Sequence, residues 1–124
     1  MPALYSHILL DHFRHPRNYG DIAEPDISYE SFNPLCGDRI RIQVRLKERV
    51  VAEARFKGDA CAISTAAASL LTELILGAGI DALSDVSNDR LIAALECDIP
   101  SARLQCAVLP LEALRAGLRE RHQG

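Results

Sequence analysis

Tryptophan is missing from this 124-residue sequence, and only three Tyr and three Phe supply aromatic rings. That leaves little for stacking on nucleic-acid bases. Excess basic charge is also missing. The formal net charge is −3 and the isoelectric point about 5.8, which argues against a nucleic-acid binder held by bulk charge. No apolar run is long enough to cross a membrane: the longest, residues 60–76, is broken by Ser64, Thr65, Ser69, Thr72 and Glu73. The N-terminus shows no basic region ahead of its short apolar stretch, so it does not read as a signal peptide. A cytoplasmic location is expected, where thiols stay reduced. No C-x-x-C pair occurs among Cys36, Cys61, Cys97 and Cys106, which excludes a zinc ribbon and a thioredoxin-type redox site. Repeats, low-complexity tracts and linkers are absent as well, so residues 1–124 read as one domain. Its 48% hydrophobic and 25% charged residues suit an ordinary globular core that needs neither disulfide nor metal to form.

The patterning that is present predicts an α+β fold. Residues 4–14 follow helical spacing, with Leu4, Ile8, Leu9 and Phe13 inward, and the helix should stop before Pro16, followed by a turn at Asn18-Tyr19-Gly20. Between Arg39 and Leu46 every even position is apolar and every odd one polar, the signature of a strand with one wet face. After a turn at Lys47-Glu48-Arg49, Val50, Ala52, Ala54 and Phe56 continue the alternation, making an antiparallel hairpin. Residues 26–33 add a third strand. Helices are expected at residues 60–76, 87–96 and 101–121, the last amphipathic through Leu104, Val108, Leu111, Leu114 and Leu118, with Pro110 marking a kink or a fresh start. The expectation is a three-stranded antiparallel sheet packed by an N-terminal helix and several C-terminal helices. Arg39, Arg41, Arg45 and Arg55 share one sheet face, which reads more readily as a solvated face than as a docking patch. His7, Asp11 and His15 share a helix face with metal-binding spacing, but such a cluster is more often simply wet.

Cysteine placement carries more information. Cys36 lies in Asn33-Pro-Leu-Cys-Gly-Asp38, a loop between two strands, where the glycine lets Cys36 and Asp38 face one point. A thiolate and a carboxylate so placed can share a cation. Cys61 follows Gly58-Asp59-Ala60 into a helix, where unpaired N–H groups and the helix dipole favour the thiolate. Cys106 falls near the start of the last helix, a position expected to favour the ionised sulfur too. Cys97 reads as a packing or inert thiol. Gaps of 25 and 45 residues separate Cys36, Cys61 and Cys106, so a shared centre must be assembled by the fold.

The motifs Tyr5-x-x-x-Leu9-x-Asp11-His12-Phe13-x-x-Pro16-x-Asn18-x-Gly20, Asn33-Pro-x-Cys-Gly-Asp38, Gly58-x-x-Cys-Ala-Ile-Ser64 and Leu104-x-Cys106-Ala107 together resemble the iron–sulfur cluster assembly scaffolds, the IscU, NifU N-terminal and SufU family. The resemblance covers residues 4–118 in order. It implies a SufE/NifU-like fold and a cluster-building site of Cys36, Cys61 and Cys106, with Asp38 as fourth ligand or as the group that keeps the site labile. It further implies a transient [2Fe–2S] cluster made from iron and sulfur supplied by a cysteine desulfurase, Cys106 as first persulfide acceptor, and transfer of the product to recipient apo-proteins. Two features depart from the IscU type. Gln105 stands where a histidine precedes the third cysteine, and it cannot serve as an ionisable ligand. The segment that recruits a heat-shock-type chaperone, Leu-Pro-Pro-Val-Lys, is here Ile99-Pro-Ser-Ala-Arg103, which weakens the case for that partner. SufU-type members share the missing histidine, but the 45-residue gap leaves no room for their insertion.

Chemically the donor set suits a scaffold. Thiolates hold iron and accept sulfane sulfur, while one harder carboxylate should weaken the grip on a product that must leave. The same Cys₃Asp set would also hold Zn²⁺, so a zinc-dependent sulfurtransferase of SufU type is the rival reading, and a structural zinc domain that only docks partners the third.

Overall fold

The computed structural model describes residues 5–123. Helix α1 (His7–Arg14) is followed by β1 (Ile27–Asn33), β2 (Asp38–Lys47) and β3 (Val50–Asp59), then α2 (Ala62–Ile75), α3 (Ile80–Leu83), α4 (Asn88–Ala94), a 3₁₀ turn (Ser101–Arg103) and α5 (Leu104–Gln123). The three strands form one antiparallel sheet in the order β1-β2-β3, as the alternation predicts. Ile40, Ile42 and Val44 of β2 are buried together with Ile27, Ala54 and Phe56, and this face carries the helices. Arg45 and Arg55 on the opposite face pair with Glu53, and Arg41 and Lys57 with Asp21. The basic face is thus locally neutralised.

Four expectations need correction. Val50 and Ala52 are exposed, whereas Val51 is buried. The register slips between Arg45 and Leu46, which pair with Glu53 and Val51; the bulge leaves Ala52 unpaired and reverses the inward phase at the start of β3. Gln43, on the polar side, is buried because its Oε1 accepts the Ile22 N–H and its Nε2 donates to Ser28. Phe13 and Leu104 are exposed rather than inward. Leu4 lies outside the described residues; α1 begins at His7 because Ser6 caps it, accepting the Leu9 N–H.

α2 is apolar around most of its circumference because α1, β3 and α5 all pack on it. The polar residues that interrupt its sequence are those that tie it to its neighbours. Ser69 Oγ accepts the Arg17 N–H and lies 2.7 Å from His12 Nδ1, while His12 Nε2 faces Glu73 at 3.4 Å. Burial, then the Arg17 charge, holds the His12 imidazole below its usual pKa against the pull of Glu73. Thr72 accepts from Asn18. These bonds fix the 15–20 loop, whose Asn18 and Gly20 exchange backbone hydrogen bonds with Phe56.

α5 runs unbroken through Pro110, so of the kink or fresh start expected there the fresh start does not occur; a 3₁₀ segment leads into its first turn. Antiparallel pairing brings the end of β3 beside the start of β2. There Gly58 is required by crowding: a Cβ would sit 2.1 Å from the Arg39 carbonyl oxygen. Gly58→Ala should therefore lower stability by about 1–3 kcal/mol, read as a lower urea midpoint with an unchanged slope.

Candidate metal centre

The start of β2, the end of β3 and the first turns of α2 and α5 converge at one end of the sheet. The loop before β2 is shaped by its own residues. Asn33 accepts the Leu35 N–H through Oδ1 and the Gly37 N–H through its carbonyl, and Gly37 adopts φ +77°, which favours glycine. Cys36 is thereby presented at the exposed loop tip, and Asp38, paired with Asn33, turns inward and is buried. Cys61 is the N-cap of α2: its Sγ accepts the Ser64 N–H at 3.5 Å, and its own N–H donates to Asp38 Oδ1 at 3.1 Å. Cys106, in the first turn of α5, is buried.

A ligand atom from each of Cys36, Asp38 and Cys106 lies within 4.8 Å of the other two, the single such group among the described residues. The Cys36 and Cys106 sulfurs are 3.8 Å apart. Two thiolates on a tetrahedral ion with metal–sulfur bonds near 2.3 Å stand about 3.8 Å apart, so this pair has the spacing of two ligands on one metal. Cys61, the remaining sequence candidate, stands outside that tight group because capping α2 holds its sulfur toward Ser64; its backbone nevertheless borders the site. Cys97 is half-buried elsewhere, its thiol pushed up by burial, in keeping with a packing role. The His7, Asp11 and His15 face forms no such group; Asp11 pairs with Arg17 instead.

Electrostatics divide the donors. Burial works to raise the Asp38 pKa, but hydrogen bonds from the Cys61 thiol, Ser64, Cys36 and the Cys61 N–H outweigh it and hold the carboxyl below its usual range. Cys106 behaves oppositely, against the expectation from its place near a helix start. Burial, then the charge of Cys61 and the contact with Cys36, push its thiol up to about 12. A metal that binds there must displace the proton. Two residues at the site were not singled out by sequence. Arg103 feels the Cys61 charge and a hydrogen bond with Cys106, which raise its pKa further. Ser64 Oγ lies 3.0 Å from Asp38 Oδ2 and 2.8 Å from the Cys106 carbonyl oxygen. Arg103 had appeared only as the basic residue of a degenerate chaperone segment, and Ser64 only as a break in an apolar run and the end of a motif.

The family model for the NifU-like N-terminal domain matches residues 4–123. The chain belongs to that family. Among NifU-like relatives, the zinc-dependent sulfurtransferase SufU of Bacillus subtilis (strain 168) is 33% identical over 142 positions, covering 100% of this chain and 95% of its own length. Since the chain has 124 residues, at least 18 of those positions have no counterpart here. The iron–sulfur cluster assembly scaffold protein IscU of Azotobacter vinelandii is 32% identical over 120 residues, covering 94% of this chain and 92% of its own. In structure, the NifU-like N-terminal protein from Brucella abortus superposes with a TM-score of 0.78 at 21% identity, over 97% of this chain and 95% of that one. SufU from Fervidobacterium islandicum AW-1 gives the same score and identity, over 93% and 96%. The three-stranded sheet with its N-terminal and C-terminal helices is thus the NifU-like fold.

Two measurements check the electrostatics. Iodoacetamide on the metal-free protein at pH 7.5 should label exposed Cys36 well before Cys106, since only thiolate reacts. A thiol whose pKa is raised by folding contributes stability that is complete below its unfolded value, 9.0, and disappears as pH climbs toward about 12. Metal-free protein should accordingly lose urea resistance over that window, and less so when Cys106 is replaced by Ala.

Proposed function

We propose that the protein is a scaffold on which a transient [2Fe–2S] cluster is built from iron and desulfurase-derived sulfur and then passed to apo-proteins, with Cys36, Asp38, Cys61 and Cys106 as its ligands. The observation that carries this reading is the mixed donor set: two sulfurs spaced for one metal beside a carboxylate that is ionised but already engaged by Cys61 and Ser64. A permanent electron-transfer centre would use four thiolates. A hard carboxylate among soft sulfurs binds iron less firmly and leaves it exchangeable.

Sulfur arrives as a persulfide on the desulfurase. A thiolate of the scaffold attacks the outer sulfur, a new S–S bond forms, and the electron pair of the old bond returns to the desulfurase cysteine as thiolate. Conversion of that sulfane sulfur to sulfide then takes two electrons from an external reductant. We assign the acceptor to Cys106, as the family resemblance implies. Burial pushes its free thiol up, so iron held at this sulfur would favour the thiolate. Access favours a docked partner at this end: Leu35 beside Cys36 is 90% exposed and Phe32 51%, apolar surface of the kind a desulfurase or recipient would cover.

The zinc-dependent sulfurtransferase reading is retained on one observation, the 3.8 Å sulfur pair that suits zinc as well as iron, supported by the SufU likeness. Anaerobic reconstitution with iron, cysteine and a desulfurase separates the two. Visible cluster absorption and transfer to an apo-ferredoxin are expected; desulfurase stimulation with zinc retained and no colour would favour the rival. Asp38→Ala should give a longer-lived cluster and slower hand-off, and equal lifetimes and rates in the two proteins would remove the labile-ligand argument. Cys97→Ser should leave cluster yield unchanged.

A further inference from the structure

Ser64 is fully buried, and its hydroxyl faces two acceptors from different elements: Asp38 Oδ2 on β2 at 3.0 Å and the Cys106 carbonyl on α5 at 2.8 Å. A hydroxyl has one proton to give. In an uninterrupted helix the Cys106 carbonyl would accept the N–H of residue 110, four positions on. Residue 110 is proline, which has no N–H. The carbonyl lost by α5 to Pro110 is the one that Ser64 reaches. Asp38, for its part, keeps the Cys61 N–H as a second donor at 3.1 Å.

We infer that Ser64 is a positioning residue that ties the Asp38 ligand to the α5 backbone at Cys106, filling the hydrogen-bond vacancy that Pro110 creates. The inference rests on the reading of Asp38 and Cys106 as ligands. One buried hydroxyl then orients a ligand from the sheet and steadies the backbone of a ligand from the last helix. Groups that orient ligands through such bonds typically govern metal affinity by ten- to a hundredfold. The link also explains why a proline is tolerated within α5 without ending it.

A double-mutant cycle with Ser64→Ala and Pro110→Ala tests both halves, using thermal midpoints of the metal-free protein and Zn²⁺ affinity measured by competition with a chromophoric chelator. Ser64→Ala alone should lower the midpoint by on the order of 5 °C, because a buried carbonyl loses its donor. In the Pro110→Ala background the loss should be at most half as large, since residue 110 then supplies its own N–H. Equal losses in both backgrounds would overturn the Ser64–Pro110 link. Zn²⁺ affinity should fall roughly tenfold or more in Ser64→Ala/Pro110→Ala relative to Pro110→Ala, where the helix bond is restored and only the grip on Asp38 is missing. Unchanged affinity there would overturn the positioning role. Asp38→Ala serves as the reference. If it leaves Zn²⁺ affinity intact, the ligand reading itself fails, a result distinct from failure of the Ser64 inference alone.

Discussion

The Asp38 carboxylate holds together chain segments that have little else in common at this end of the molecule. One oxygen takes the N–H of Cys61 and the other faces the Ser64 hydroxyl, both on the first turn of α2. A buried carboxylate is costly unless such donors meet it. The start of a helix supplies them without strain, because its first N–H groups have no partner within the helix and its dipole favours negative charge. β2 is thereby fastened to α2 at the point where the Cys36 loop leaves the sheet. The position of that carboxylate in turn decides where a metal would meet the sulfurs.

Rigidity at the site is inherited from the core. α2 cannot turn or slide, because Ser69 and Thr72 are bonded to His12, Arg17 and Asn18 on one side and Ile63, Leu71 and Ile75 are buried on the others. β3 approaches β2 closely enough at Gly58 to exclude any side chain. The loop that carries Cys36 is shaped by short-range bonds to Asn33 and projects into solvent. Two donors are therefore fixed by packing and one is placed by a turn. Of the three, Cys36 alone is exposed at the surface.

Local pattern exposed much of this in advance, for reasons that differ by element. The alternation from Arg39 to Leu46 is a direct record of a half-buried strand, and the Asn-Pro and Gly residues around Cys36 encode a turn through their own backbone preferences. The slip at Val51 left no such trace. It depends on the pairing of Arg45 and Leu46 with the neighbouring strand, and apolar residues at both 50 and 51 satisfy either phase. Gln43 looked solvent-facing because its partner, the Ile22 N–H, comes from a loop with no regular period. Similarly, the place of Cys106 near a helix start suggested a stabilised thiolate, but the fold covers that turn with the Cys36 loop and α2. Desolvation then outweighs the helix dipole. The role of Ser64 was the least legible: its partner carbonyl lacks a helix N–H because of a proline in another helix.

That last dependence bears on how a site can be firm in its fold and loose toward its cargo. Pro110 removes one bond from the ladder of α5 just below the turn that carries Cys106, while Leu111, Leu114 and Leu118 remain packed beyond it. The body of α5 is thus secured by apolar contact with the sheet. Its first turn relies instead on a side-chain hydroxyl that Asp38 also claims. One buried proton facing two acceptors therefore couples the Asp38 segment of the sheet to the first turn of α5.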